Sequence, residues 1–107
     1  MIYIPDRCDI IWIEFNPQMG HEQGKRRPAL VLSPKEYNRK TSLCLVCPMT
    51  SKKKGYSFEV ATQSGSVILA DHVKSLDWRA RKASFKEKAT LDIVDEVVAK
   101  LSVLLKE

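Results

Sequence analysis

The sequence predicts a small, mainly antiparallel β-barrel covered by one C-terminal helix. Three observations carry this. The chain has 107 residues, the length of one domain. Between about residues 9 and 78, short β-branched and aromatic runs follow one another closely. Only hairpins and meanders can join them, because a parallel crossover needs a dozen or more residues. The apolar spacing becomes helical only after residue 90. One domain over residues 1–107 is therefore expected, and a chain of this size buries roughly two thirds of its unfolded surface, enough for a core without metal or disulfide staples.

Asp9-Ile10-Ile11-Trp12-Ile13-Glu14-Phe15 reads as a half-buried first strand that ends at Asn16-Pro17. Residues 16–27 are almost devoid of apolar side chains and contain Pro17, Gly20 and Gly24. A polar loop of that length in a compact domain is a candidate binding loop. Ala29-Leu30-Val31-Leu32 suits a central strand, closed by Ser33-Pro34 because proline cannot continue the ladder. Lys35 to Thr41 reads as a helical turn. Strands follow at 43–50, 57–62, 67–70 and 73–78. Leu91, Val94, Val98, Leu101 and Leu105 recur at intervals of 3, 4, 3 and 4, giving one helix over about 91–106. Thr90 is its expected N-cap, and Asp92 lies where the helix dipole favours an acid.

Cys8, Cys44 and Cys47 cannot all pair. Cys44 and Cys47 have redox-motif spacing but sit in a strand-like run. Three apart on a strand they point to opposite faces, so they read as buried, inert thiols. No apolar run approaches the ~18 residues of a membrane span, and the opening Met1-Ile2-Tyr3-Ile4-Pro5-Asp6 has no pattern of a secretory signal, so a cytoplasmic protein is expected.

The net charge of +5 is unevenly placed. Residues 1–24 carry one base and four acids, residues 25–88 fifteen bases and five acids, and residues 89–107 two bases and four acids. The basic middle is clustered in Lys25-Arg26-Arg27, Lys52-Lys53-Lys54 and Arg79-Ala80-Arg81-Lys82. Converging on one face, these clusters would attract a polyanion. Arg79 and Arg81, two apart on a strand-like segment, would face the same side and track phosphates, or else pair with Asp77 or with a partner subunit.

The loop also brings His21 and Glu22 beside three cations. RNA can be cut without metal when its 2′-hydroxyl attacks the adjacent phosphate. That step needs a base, an acid and donors for the charge growing on the phosphorane. Arginine suits the last role because its planar fork donates to two oxygens at once. The same residues read equally as a solvated loop in which Arg27 pairs with Glu22. Composition does not decide between the two.

The string GHEQGKRRPALVLS resembles the G-x-E-Q-x-x-x-R-P-x-x-V-L-S signature of the MazF/PemK/Kid family of toxin endoribonucleases. Similar blocks follow in the same order: Asp9-Ile10-Ile11-Trp12 before it, then Pro48-Met49-Thr50-Ser51, Lys54-Gly55-Tyr56-Ser57-Phe58-Glu59-Val60, and Leu69-Ala70-Asp71-His72-Val73-Lys74-Ser75-Leu76-Asp77-Trp78-Arg79-Ala80-Arg81. The string Trp-Arg-Ala-Arg points to the MazF branch. The resemblance implies an SH3-like barrel that forms a homodimer and cuts single-stranded RNA at short sequence motifs, leaving a cyclic phosphate and a 5′-hydroxyl. It also implies an acidic MazE-like antitoxin, operator DNA reached only through the antitoxin complex, and no cofactor.

Carried over by position, Arg27 and Thr50 match the catalytic arginine and threonine, Glu22 the loop glutamate, and His21 a histidine of the Kid branch. Asp71 matches an aspartate that transfers protons in that branch. The Kid-like pattern has an arginine two residues before that aspartate, where this chain has Leu69, so its acid and base cannot be copied whole. The expected RNA-binding set is Lys25, Arg26, Lys52, Lys53, Lys54, Asp71, Arg79 and Arg81, with no metal ligands. His72 belongs to no motif and reads as structural or exposed. Trp12 and Trp78 suit base stacking, or the core or a dimer interface. Two alternatives share the barrel: a CcdB-like toxin that poisons DNA gyrase without catalysis, and a passive RNA-binding module.

Overall fold

The computed structural model describes residues 2–15 and 26–106. In chain order the elements are β1 (Asp9–Glu14), β2 (Arg26–Val31), α1 (Lys35–Thr41), β3 (Leu43–Thr50), β4 (Glu59–Ala61), β5 (Val67–Leu69), a 3-10 turn (Ala70–His72), β6 (Lys74–Asp77), β7 (Ser84–Lys88) and α2 (Leu91–Leu105). Every strand pair is antiparallel, as the short connections require. The ladder runs β4-β5-β3-β2-β1-β7, with β6 paired to β3. The eight residues of β3 serve two sheets: Leu43 to Val46 pair with β6, and Met49 and Thr50 pair with β5. Among the described residues no ladder joins β4 to β7, so the barrel expected from the sequence is an open one.

Alternation along the strands divides the core in two. One face gathers Ile10, Leu30, Cys47, Met49, Val60 and Ile68 under Val94 and Val97 of α2. The other gathers Ile11, Ile13, Ala29, Val31, Cys44, Val46, Leu76 and Trp78. Cys44 and Cys47 thus lie on opposite sides of the sheet, both free and buried. The joint between α1 and the sheet is polar and fully bonded. Buried Asn38 donates from Nδ2 to the carbonyls of Pro5 and Ser33 (2.8 and 3.0 Å), and its own carbonyl accepts from Trp78 Nε1 at 2.8 Å.

Three expectations about strands and turns are corrected. Arg26 and Arg27 are the first residues of β2 rather than loop residues. The rest of the polar loop, residues 16–25, lies outside the described residues, and with it His21, Glu22 and Lys25. A strand not expected from the sequence, β7, pairs with β1. All five of its side chains are exposed, and the register slips between Ile10 and Ile11, so no apolar alternation marks it. Arg79 and Arg81 lie in a turn, not on a strand, because Asp77 Oδ1 accepts the backbone N–H groups of Arg79 (3.1 Å) and Ala80 (2.9 Å) and folds the chain.

The helix is also rotated from its expected stripe. Ile93, Val94, Val97 and Leu101 meet the sheet, whereas Leu91, Val98 and Leu105 are 70%, 44% and 74% exposed. Thr90 caps it as expected, accepting from the Ile93 N–H.

Candidate active site

The site begins where the second core face runs out of apolar residues. Following period 2 along that face, Ile11 and Ile13 lead to Phe15. Val31 and Ala29 lead to Arg27, and Val46 and Pro48 lead to Thr50. On β6, Leu76 leads back to Lys74. Ala29 pairs with Pro48, so the same antiparallel register carried two residues further sets Arg27 opposite Thr50. Glu59 pairs with Leu69 on the far side of β3. These side chains line one cleft of about 390 Å³, completed by Lys52, Lys54, Tyr56 and His72.

Among the described residues four cations, Arg27, Lys52, Lys54 and Lys74, therefore border the cleft against one carboxylate, Glu59. That carboxylate is committed to the loop. It accepts the N–H of Gly55 at 2.9 Å and of Lys54 at 3.1 Å, holding residues 52–55 in place. Gly55 supplies a φ of +80° that a side chain would resist. Thr50 Oγ1 accepts the Lys52 N–H at 3.1 Å, which leaves the hydroxyl proton free to donate into the cleft. The expected surface pair between Arg27 and Glu22 involves a residue outside the described ones.

The remaining sequence candidates separate. Arg26 points away from Arg27 and braces β7. Its guanidinium donates to the Lys82 carbonyl and to Ser84 Oγ, both at 2.8 Å, and Glu14 lies 4.0 Å away. Arg81 donates from Nη1 to the carbonyls of Glu14 (2.9 Å) and Phe15, fixing the end of β1. Arg79 stacks on buried Trp78, its guanidinium carbon 4.8 Å from the ring centre. Lys53 is exposed but does not line the cleft. Trp12 is 37% exposed beside the Lys86 ammonium.

Of the three basic clusters, then, Arg27 joins Lys52 and Lys54, and the cluster around Arg79 lies elsewhere. Asp71 is exposed on the 3-10 turn, 3.8 Å from His72 Nε2. Phe15, Tyr56, Glu59, His72 and Lys74 are site residues that sequence reasoning missed. The strand alternation from Ile13 to Phe15 and from Leu76 to Lys74 is the signal that would have found two of them.

An open β-sheet with a cationic cleft at the polar ends of its central strands defines a polyanion-binding domain. Residues 6–105 match the family model described as PemK-like, MazF-like toxin of type II toxin-antitoxin system. The chain is 46% identical over 106 residues to the endoribonuclease toxin MazF of Escherichia coli K12, covering 96% of each protein. It is 31% identical to the endoribonuclease PemK of Escherichia coli, covering 94% of this chain and 81% of PemK. Among solved structures, MazF in a MazE-MazF crystal from Deinococcus radiodurans matches with a TM-score of 0.89 at 48% identity, over 96% of this chain and 97% of that one. The chain belongs to the PemK-like, MazF-like toxin family of type II toxin–antitoxin systems.

Proposed function

We propose that the chain is the endoribonuclease toxin of its module and cuts single-stranded RNA in the cleft between β2 and β3. The observation that carries this reading is the placement of Arg27 opposite Thr50, within a cleft bordered by Lys52, Lys54 and Lys74. The relatives' names as endoribonucleases support it.

The 2′-hydroxyl of the nucleotide before the cut attacks the adjacent phosphorus, and the P–O5′ bond breaks. Charge accumulates on the non-bridging oxygens. The Arg27 guanidinium donates to them through its fork, and the Thr50 hydroxyl donates one further bond. The lysines hold flanking phosphates without reading sequence. A cyclic phosphate and a 5′-hydroxyl result. Because the cations are side chains, the reaction needs no metal. Leu69 leaves the Kid-like arginine position apolar, so phosphorane charge falls on Arg27. Glu22 and His21, in the sequence before β2, complete the catalytic set.

The partners follow from the same reading. An acidic MazE-like antitoxin competes with RNA for the cationic cleft, consistent with the relatives crystallised as MazE-MazF complexes. Operator DNA is bound only through that complex. Two copies form a homodimer that extends the shallow cleft into a groove, and the protein acts in the cytoplasm on cellular RNA.

Incubating the protein with a long single-stranded RNA in EDTA tests the reading. Discrete fragments ending in cyclic phosphate are expected, and Arg27→Ala should slow cutting at least ~100-fold while leaving the fold intact. Intact RNA with the wild-type protein would overturn the nuclease reading in favour of a gyrase poison or a passive RNA binder.

A further inference from the structure

Among the described residues one imidazole, that of His72, lines the cleft, and the proposed reaction leaves it without a role. His72 ends the 3-10 turn that follows β5. The turn is pinned at its first residue: buried Ala70 donates its N–H to the Phe58 carbonyl at 3.0 Å. Asp71 and His72 are thereby carried outward at the rim, with side chains 41% and 55% exposed, and His72 lines the same cleft as Arg27 and Thr50. Its Nε2 faces Asp71 Oδ1 at 3.8 Å. At that distance the two groups form an ion-pair contact once the imidazole carries a proton, not a hydrogen bond.

We propose that His72 is the general base of the RNA cleavage, with Asp71 as its positioning residue. The proposal rests on the nuclease reading and deepens it. The His72 imidazole takes the proton of the 2′-hydroxyl on its unprotonated nitrogen as O2′ bonds to phosphorus. The P–O5′ bond breaks with its electron pair on O5′, which is protonated by water. The products are a 2′,3′-cyclic phosphate and a 5′-hydroxyl, and the imidazolium returns its proton to solvent. Asp71 stabilises that imidazolium while it exists. The other charged groups of the cleft are Arg27, Lys52, Lys54, Lys74 and Glu59, with the Tyr56 phenol beside them. From α2, which packs against the turn, Lys100 is directed to the carbonyls of Ser57 and Glu59.

The test is single-turnover cleavage of a mapped RNA site in EDTA as a function of pH, for wild type, His72→Ala and Asp71→Asn. His72→Ala should cut at least ~100-fold more slowly and lose the rise of rate with pH through the histidine range. Asp71→Asn should slow cutting in the wild-type background and have no further effect in His72→Ala. Binding of an uncleavable RNA carrying a 2′-deoxy group at the cut site should be unchanged in both. A substrate whose leaving oxygen is replaced by sulfur separates the two proton transfers. For a base, the ratio of wild-type to His72→Ala rates persists on that substrate. Collapse of the ratio would make His72 the acid and overturn the proposal. So would a His72→Ala variant that cuts at the wild-type rate with the same pH profile. If the wild type itself cuts nothing, the nuclease reading fails and this role fails with it.

Discussion

Arg26 and Arg27 are neighbours in sequence with opposite duties, because a strand turns successive side chains to opposite faces. Arg26 holds backbone and hydroxyl oxygens of the β6–β7 segment, and Arg27 faces the cleft. The sequence marks both as basic, and only the strand alternation shows that Arg27 is the one that lines the cleft. Arg81 shows the reverse: its charge suggested a phosphate ligand, whereas its contacts make it a brace for carbonyls. The thiols follow the same alternation. Burial pushes Cys44 and Cys47 each up to about 12, helped by Asp77 and Asp71 respectively. At pH 8 their reactive thiolate is then about a thousandfold scarcer than that of an ordinary thiol. A thiol reagent should label both at least ~100-fold more slowly in the native protein than in urea. Equal rates would contradict their burial.

At the scale of elements, long apolar or β-branched runs such as β1, β3 and α2 were legible because one buried face fixes the period. β7 was not, since Ser84 to Lys88 buries nothing and is held from outside. Its last residue, Lys88, meets the buried Asp9 carboxylate at 2.5 Å, and Tyr3 donates its hydroxyl to the same carboxylate. Burial, then the hydrogen bond to Asp9, raises the Tyr3 phenol above its ordinary value, and the bond to Asp9 raises Lys88. Groups raised on folding stabilise fully below their unfolded values of about 10, and that contribution is lost as pH rises through the folded values. The buried thiols act in the same direction from about pH 8.5 upward. Urea unfolding across pH should therefore show stability falling steadily above neutrality and steeply beyond about pH 10. Tyr3→Phe should flatten that alkaline limb, and an unchanged limb would show that the Asp9 network does not anchor β7.

At the scale of the molecule, Arg27 and Thr50 were legible as candidate residues, but the cleft was not. It is assembled from the residue after β1, from β2, β3, β4, β5 and β6, and from the 3-10 turn and the loop after β3, and only the strand register brings these distant segments together. The cleft is also open to one side. Exposed Leu91, Val98 and Leu105 recur seven residues apart on α2, and Phe85 is 50% exposed beside Tyr3. Apolar surface left out of both core clusters suits a second copy. Sedimentation at micromolar concentration should give the mass of two chains, and one chain's mass at every concentration would contradict the shared groove.

The central claim is that Arg27 and Thr50 serve an attack by the RNA's own 2′-hydroxyl. The most direct measurement places a single 2′-deoxy nucleotide immediately before the mapped cut in an otherwise natural RNA. No cleavage at that position is expected, with binding retained. Cutting at the deoxy position at the wild-type rate would mean that another nucleophile attacks the phosphate, and the roles given to the cleft would be wrong.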